Sequence, residues 1–131
     1  MDDYEQFISK KLVTTPPTGF EPGESHSKLF PFQQALVKWA LRRGRAAIFA
    51  STGLGKSVIA AEWSKHVHRH TGKPILALAP LAVAAQWANE AKRVDLKVKV
   101  CREESDLTDG INVTQMVKNL KRAKKEKGLF E

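Results

Sequence analysis

The sequence of 131 residues has little cysteine and lacks long apolar runs. Its single cysteine, Cys101, cannot form an internal disulfide, which favours the reducing cytoplasm. The longest apolar run extends from Ile75 to Ala85, contains Pro80 and is too short to span a bilayer. The first five residues are acidic where a secretory signal would be basic. These absences predict a cytoplasmic chain without an export signal or a membrane partner.

Acidic residues are also in deficit, since 22 Lys and Arg outnumber 14 Asp and Glu for a formal net charge of +8. The excess lies in residues 28–114 and in the lysine-rich stretch 115–131, whereas residues 1–27 are net acidic. A basic body favours a polyanionic partner, most often nucleic acid, although a solubilising surface explains the same charge equally well.

Apolar residues follow helical and strand spacing in alternation along the chain. Helical spacing is found in residues 4–11, in residues 31–43 with Phe32, Leu36, Trp39 and Ala40 on one face, in residues 56–71 before Gly72, and in residues 81–93. Short apolar runs predict strands over residues 46–50, 75–79, 96–101 and 111–114. This alternation predicts a three-layer α/β fold with a mostly parallel sheet.

Three regions follow from this pattern. Residues 1–27 combine a short helix with a loop that is rich in proline and glycine. Residues 28–114 carry the α/β units, and residues 115–131 form a basic tail with helical spacing. We expect the tail to be a solvated helical face, with nucleic-acid contact as the alternative.

The most informative stretch is the run Ala-Ser-Thr-Gly-Leu-Gly-Lys-Ser at residues 50–57, between a predicted buried strand and a predicted helix. This context is typical of a phosphate-binding loop, although Ala50 stands where the strict pattern has glycine. The glycines let main-chain amides approach phosphates, and the following helix adds the positive end of its dipole. Lys56 then reaches the terminal phosphates, and Ser57 offers its hydroxyl to Mg²⁺. The predicted nucleotide contacts are Thr52, Gly53, Leu54, Gly55, Lys56 and Ser57.

The surroundings of this loop resemble the start of a superfamily-two helicase of the DEAD/DEAH-box, Swi/Snf-like type found in phages and prophages. The likeness covers residues 28–114 and rests on Leu-Phe-Pro-Phe-Gln at 29–33, Trp-Ala-Leu at 39–41, the loop, Ala-Leu-Ala-Pro-Leu at 77–81 and Gln-Trp at 86–87. The resemblance implies a RecA-like fold of the P-loop NTPase class, present here in incomplete form, with ATP and Mg²⁺ as cofactors.

The resemblance also assigns roles to single residues. Gln33 matches the glutamine that reads adenine, and a glutamine amide is able to bond the N6/N7 edge of that base. Gln34 takes its place if the register is one residue off. Pro80 and Leu81 match a motif that lies along the nucleic-acid backbone in the family, and Thr114 matches another strand end near that track.

The sequence departs from the family after Thr114. In the family an Asp-Glu pair steadies Mg²⁺ and positions the attacking water, but no apolar run of this sequence ends in such a pair. The resemblance also extends to no second RecA-like domain. No catalytic residue is therefore assigned, apart from Lys56 if the chain hydrolyses ATP. We expect a truncated or frameshifted helicase product, or a natural fragment with a new tail, that self-associates or requires the missing half of the helicase.

The sequence thus predicts an ATP-binding, N-terminal fragment of a DNA helicase or translocase that hydrolyses ATP poorly alone. The alternative is a small basic protein that binds nucleic acid or a partner protein without using ATP, and a non-functional relic is a third reading. His66 and His70 have the spacing of a metal pair, but a cationic helix end explains them more simply. Cys101 is expected to be a strand residue without nucleophilic activity, and Trp39, Trp63 and Trp87 are expected in the core.

Overall fold

The computed structural model describes residues 2–11, 16–51 and 53–115, and for Leu81 it describes the main chain alone. The helices are α1 (Asp3–Lys11), α2 (Pro31–Arg43), α3 (Lys56–Thr71) and α4 (Leu81–Glu90). The strands are β1 (Ile75–Ala79), β2 (Val98–Cys101) and β3 (Ile111–Gln115). Short 3₁₀ turns occupy Ala91–Val94 and Glu104–Asp106. The predicted helix over residues 81–93 is thus an α-helix that ends at Glu90 and tightens into a 3₁₀ turn.

The described strands form one parallel sheet in the order β1-β3-β2. Ile75 of β1 and Val98 of β2 both pair with Ile111, so the three strands start level with one another. The central strand β3 is buried almost throughout, whereas β1 alternates between half-buried and exposed residues. This parallel sheet flanked by helices confirms the predicted α/β class.

The core lies between one face of the sheet and helices α2, α3 and α4. Its fully buried members are Val37 and Leu41 of α2, Ala61 of α3, Ala91 and Val94 of the 3₁₀ turn and Val113 of β3. The indole of Trp87 donates a hydrogen bond of 2.9 Å to the carbonyl of Ser57 and so joins α4 to the first turn of α3. This contact fixes the start of α3 within the packed part of the molecule.

Residues 46–50 do not form the predicted strand. The ladders of the described sheet join β1, β2 and β3 only, and the segment 46–50 has no regular secondary structure. Ile48 packs against the core, but Phe49 is 96% exposed. An apolar run becomes a strand only beside a neighbour that takes up its N–H and C=O groups, and no described strand supplies that neighbour.

Helix α2 exposes its aromatic side chains, which corrects the predicted core face. Its buried residues are Gln33, Val37, Ala40 and Leu41, whereas Phe32 and Trp39 are exposed. Of the three tryptophans expected in the core, Trp87 is buried and Trp63 is half-buried. The helix is therefore rotated by about a third of a turn from the orientation that its aromatic residues predicted.

The segment from residue 16 to residue 30 runs across the helices as a strap. The amides of Thr18, Gly19 and Phe20 donate to the last carbonyls of α2, which would otherwise lack partners. Gly19 is needed there because a Cβ atom would collide with the main chain of α2. Phe20 stacks on the ring of His70 with 3.9 Å between the centroids. The strap thereby connects α2 with the end of α3.

His26 fastens the strap to a buried carboxylate on α3. Glu62 is fully buried, and its Oε1 accepts hydrogen bonds from the His26 amide at 3.1 Å and from Nε2 of His66 at 2.9 Å. The ammonium of Lys65 lies 2.9 Å from Oε2. Burial opposes ionisation of Glu62, but these partners outweigh it and hold the pKa of the carboxyl below its usual value. The ring of His26 also bonds Asp95 at 2.8 Å.

The predicted basic tail falls outside the described residues, except for Gln115 at the end of β3. Among the helices of the described ranges, none is long and apolar enough to cross a bilayer.

Candidate functional site

The predicted phosphate loop forms a tight bend directly before α3. Gly53 and Gly55 have φ angles of 87° and 73°, in the left-handed region that glycine adopts without strain. The amide of Leu54 turns back to the carbonyl of Ser51 at 3.4 Å. Thr52, the first nucleotide contact in the sequence prediction, lies outside the described residues. The bend delivers the chain into α3 at Lys56.

The amino-terminal end of α3 has the properties of an anion site. Gly55 precedes the helix without a side-chain cap, and its carbonyl accepts the amides of Val58 and Ile59, each at 3.1 Å. Within the described residues, no hydrogen bond engages the amides of Lys56 and Ser57. These amides point out of the first turn, and the helix dipole adds positive potential at the same end. A phosphate group is the kind of ligand that such an end accepts.

Gln33 lies beside this loop and is tied to the main chain at both ends of its amide. Its Oε1 accepts the amide of Phe30 at 2.9 Å, and its Nε2 donates to the carbonyl of Leu54 at 3.1 Å. Gly55 sits so close to Nε2 that a Cβ atom at this position would collide with it. Gln34, the other candidate for an adenine contact, donates to the carbonyl of Leu29 at 3.0 Å. In this arrangement Gln33 positions the loop.

A cavity of about 500 Å³ opens between the loop and the start of α2. Phe30 and Phe32 face it, and their exposed rings stack with 6.2 Å between the centroids. Lys28 and Arg93 add positive charge, and no acidic side chain is among the described residues that line the cavity. The cavity therefore combines flat apolar faces with cations beside an anion-binding helix end.

The sequence did not identify Lys28, Phe30, Phe32 and Arg93 as site residues. Phe30 and Phe32 flank Pro31 just before Gln33, and that spacing was a usable signal. Arg93 is far from the loop in sequence, and only the tertiary fold brings it to the cavity.

Lys56 and Ser57 lie where the motif predicts, at the start of α3, but they face different surroundings. Lys56 is exposed and lines a neighbouring cavity of about 320 Å³ together with Ile48 and Trp63. No ion pair to Lys56 forms within the described parts of the chain. Ser57 is half-buried and is held through its carbonyl by Trp87. The exposed ammonium is thus free to swing towards a ligand on the loop.

The residues of the predicted nucleic-acid track lie at the carboxyl ends of parallel strands. Pro80 follows β1 and begins α4, where its carbonyl accepts the amides of Val83 and Ala84. The main chain of Leu81 is in the first turn of α4. Thr114 pairs with Leu78 and Cys101 across the sheet and is buried. The sheet therefore places Thr114 near the same edge as Pro80, with its side chain inside the protein.

The weaker candidates have structural partners. His66 bonds Glu62, while His70 stacks on Phe20, so the two rings do not form a joint metal site. In the described ranges, no group of three or more His, Cys, Asp or Glu side chains is arranged to hold a metal ion. Cys101 is a buried residue of β2, as expected, and burial raises the pKa of its thiol, which disfavours the nucleophilic thiolate.

Comparison with known proteins gives a likeness of fold. Neither a family model nor a curated protein matches the chain. Among solved structures, the UvsW helicase from bacteriophage T4 matches with a TM-score of 0.57 and 18% sequence identity. The match covers 91% of this chain and 44% of the helicase chain, so the chain spans less than half of that protein. The chain therefore shares the fold of part of that helicase, a parallel sheet flanked by helices.

Proposed function

We propose that this chain is an ATP-binding fragment of a DNA helicase or translocase, of the DEAD/DEAH-box, Swi/Snf-like type. The observation that carries the proposal is the helix end at Lys56 and Ser57, whose amides have no partner in the described residues and follow a left-handed glycine bend. Phosphates of a nucleotide satisfy such amides without rearrangement of the main chain.

Different residues around the helix end contact different parts of the nucleotide. The phosphates bind the amides of the loop and the ammonium of Lys56, and the hydroxyl of Ser57 contributes to Mg²⁺ coordination through the bound nucleotide. Gln33 contacts adenine if it exchanges one of its main-chain bonds, and otherwise acts by holding Leu54 in place. DNA follows the edge of the sheet at Pro80 and Leu81, near the carboxyl end of β1, and the buried side chain of Thr114 supports that edge from inside β3.

Hydrolysis of ATP by this chain alone is expected to be slow. Phosphoryl transfer to water requires a carboxylate for Mg²⁺ and a group that orients the water. No acidic side chain lines the described wall of the cavity beside the loop. Binding, and not turnover, is therefore the activity to be measured first.

The decisive experiment is a titration of a fluorescent ATP analogue into the purified chain with Mg²⁺. We expect saturable binding that weakens at least about tenfold in Lys56→Ala. The variant removes the ammonium that the motif assigns to the phosphates and leaves the main-chain amides of the helix end intact. Lys73→Ala is the matched control, since Lys73 is an exposed lysine after α3. Equal affinity in Lys56→Ala and the wild-type chain would remove the loop from the proposal.

DNA-binding measurements on the same purified chain distinguish this function from the alternative, a basic protein that does not use ATP. DNA binding that responds to ATP and Mg²⁺ supports the helicase fragment. DNA binding that weakens steeply with salt and ignores nucleotide supports the alternative.

A further inference from the structure

Helix α2 has an outer face that does not pack in the core. Val37 and Leu41 are buried in the core, whereas Lys38, Trp39 and Arg42 lie on the outer side of the helix. Together with Pro17 of the strap and Pro31 at the start of α2, they line a groove of about 540 Å³. None of the residues that line this groove also lines the cavity beside the phosphate loop.

Trp39 is the central observation. Its side chain is 48% exposed, whereas the side chain of Trp87 is buried and hydrogen-bonded. An indole buries a large apolar area when it is packed, so leaving half of it in water forfeits stabilisation of the fold. The exposed indole instead offers a flat face that a planar group can cover.

The charges of the groove indicate what kind of molecule covers that face. Three cations, Lys38, Arg42 and Arg43, line it. The carboxylate of Glu21 pairs with Arg42 at 2.6 Å, and no acidic side chain is among the described residues that line the groove. Lys38 and Arg42 together outweigh the single negative charge of Glu21, so the groove has a positive excess. Lys38 and Arg42 are one helical turn apart, as are Trp39 and Arg43, so cations flank the indole on both sides.

We propose that this groove binds single-stranded nucleic acid, with a base stacked on Trp39 and the flanking phosphates held by Lys38 and Arg42. A stacking ring beside a basic track is the general way in which proteins hold single strands without reading their sequence. An acidic peptide would satisfy the cations, but it offers no planar group for the indole, and the proline walls donate no hydrogen bonds to a peptide main chain. The groove is a separate contact from the proposed track at Pro80 and does not depend on the nucleotide loop.

The first test measures binding of a fluorescently labelled dT12 oligonucleotide by anisotropy. We expect Trp39→Ala to weaken binding at least about tenfold and Trp39→Phe to retain part of the affinity, because the loss of one stacked base has an effect of this size. Tyr4→Ala is the matched control, since Tyr4 is an exposed aromatic residue outside the groove. Unchanged affinity in Trp39→Ala, or no binding of dT12 by the wild-type chain, would overturn the proposal.

The second test uses one variant that should strengthen binding and one that should weaken it. A variant that fails to fold cannot bind more tightly, so misfolding cannot produce the first result. Glu21→Gln removes the negative charge and releases Arg42, and we expect tighter binding of dT12. Lys38→Gln removes a phosphate contact and should reduce the slope of log affinity against log salt by about 1. Lys73→Gln is the charge-matched control outside the groove. Weaker binding in Glu21→Gln would contradict the proposal.

The third test identifies where the strand lies and what class of ligand the groove prefers. An oligonucleotide with 5-iododeoxyuridine should give a photoadduct on the tryptic peptide that contains Trp39, in the wild-type chain and equally in Lys56→Ala. An adduct confined to other peptides would overturn the assignment. If a twelve-residue glutamate peptide binds as tightly as dT12, and the same variants abolish its binding, the ligand of the groove is an acidic protein segment and the proposal of nucleic acid is wrong. If Lys56→Ala no longer binds ATP but still gives this adduct, the groove binds nucleic acid independently of the nucleotide loop.

Discussion

The side chain of Gln33 donates a hydrogen bond of 3.1 Å to the carbonyl of Leu54 and thereby ties the start of α2 to the phosphate loop. The same amide accepts the N–H of Phe30, so a single buried side chain connects two pieces of main chain. The connection explains how the glycine-rich loop is held in place although residues 46–50, which precede it, do not form a strand.

Replacing Gln33 by alanine should both destabilise the fold and loosen the loop. The variant removes two partly buried hydrogen bonds, to the amide of Phe30 and to the carbonyl of Leu54, which costs about 1–2 kcal/mol in the free energy of unfolding. Denaturant unfolding measures that loss, and the fluorescent nucleotide titration should show weaker binding at the same time. Gln86→Ala is the control, because Gln86 is an exposed residue of α4. A stable Gln33→Ala with unaltered nucleotide affinity would show that the tie is dispensable.

Alanine at the two loop glycines should have unequal effects. Both positions have positive φ, which costs an alanine about 1 kcal/mol. At Gly53 a Cβ atom meets nothing within 4 Å, whereas at Gly55 it collides with the amide of Gln33. We therefore expect Gly55→Ala to lower both stability and nucleotide affinity more than Gly53→Ala does. Thermal melts and nucleotide titrations of the pair provide the comparison, and equal losses would argue against the close contact.

The sequence predicted those parts of the fold that depend on local spacing. Helix α3 begins after the loop and ends at Gly72 because both boundaries are set by glycines that adopt positive φ. Strand β1 ends before Pro80, as expected from a residue that lacks an N–H group.

Features that depend on distant partners were not predictable in this way. Residues 46–50 are apolar enough for a strand, but pairing requires a neighbour, and the local sequence does not reveal whether one is present. The aromatic spacing of α2 placed Trp39 in the core, yet Val37 and Leu41 occupy that side. In the candidate site, the glycines and Lys56 were evident from the motif. Arg93 was not, because it reaches the cavity only through the packing of α4 and the turn that follows it.

Buried Glu62 should make stability depend on pH in the acidic range. The pKa of its carboxyl is lowered from 4.5 in the folded chain, so its contribution is complete above pH 4.5 and is lost as pH falls through the folded value. Glu62→Gln should be less stable than the wild-type chain by about 3 kcal/mol near neutral pH, because the ammonium of Lys65 loses its buried counter-charge.

The stability difference between the two chains should narrow as pH falls below 4.5, because the carboxyl of Glu62 takes up a proton in the unfolded wild-type chain before it does so in the folded chain. Denaturant unfolding across this range measures it. Glu5→Gln is the control, since Glu5 is an exposed residue of α1. A difference that stays constant down to low pH would mean that ionisation of Glu62 is not the source of the stability.

The free edge of β1 should promote association of the chain. In the described sheet β1 pairs with β3 alone, and Leu76 and Leu78 are 51% and 53% exposed on the face that points away from the core. Unpaired strand edges with apolar side chains are templates for intermolecular pairing, whereas charged side chains block it. We therefore expect the wild-type chain to self-associate as its concentration rises and Leu78→Lys to shift it towards the monomer in sedimentation velocity. Leu107→Lys, which alters an exposed leucine outside the strands, should leave association unchanged. A wild-type chain that sediments as a monomer throughout and melts in one cooperative step would show that this edge is already protected.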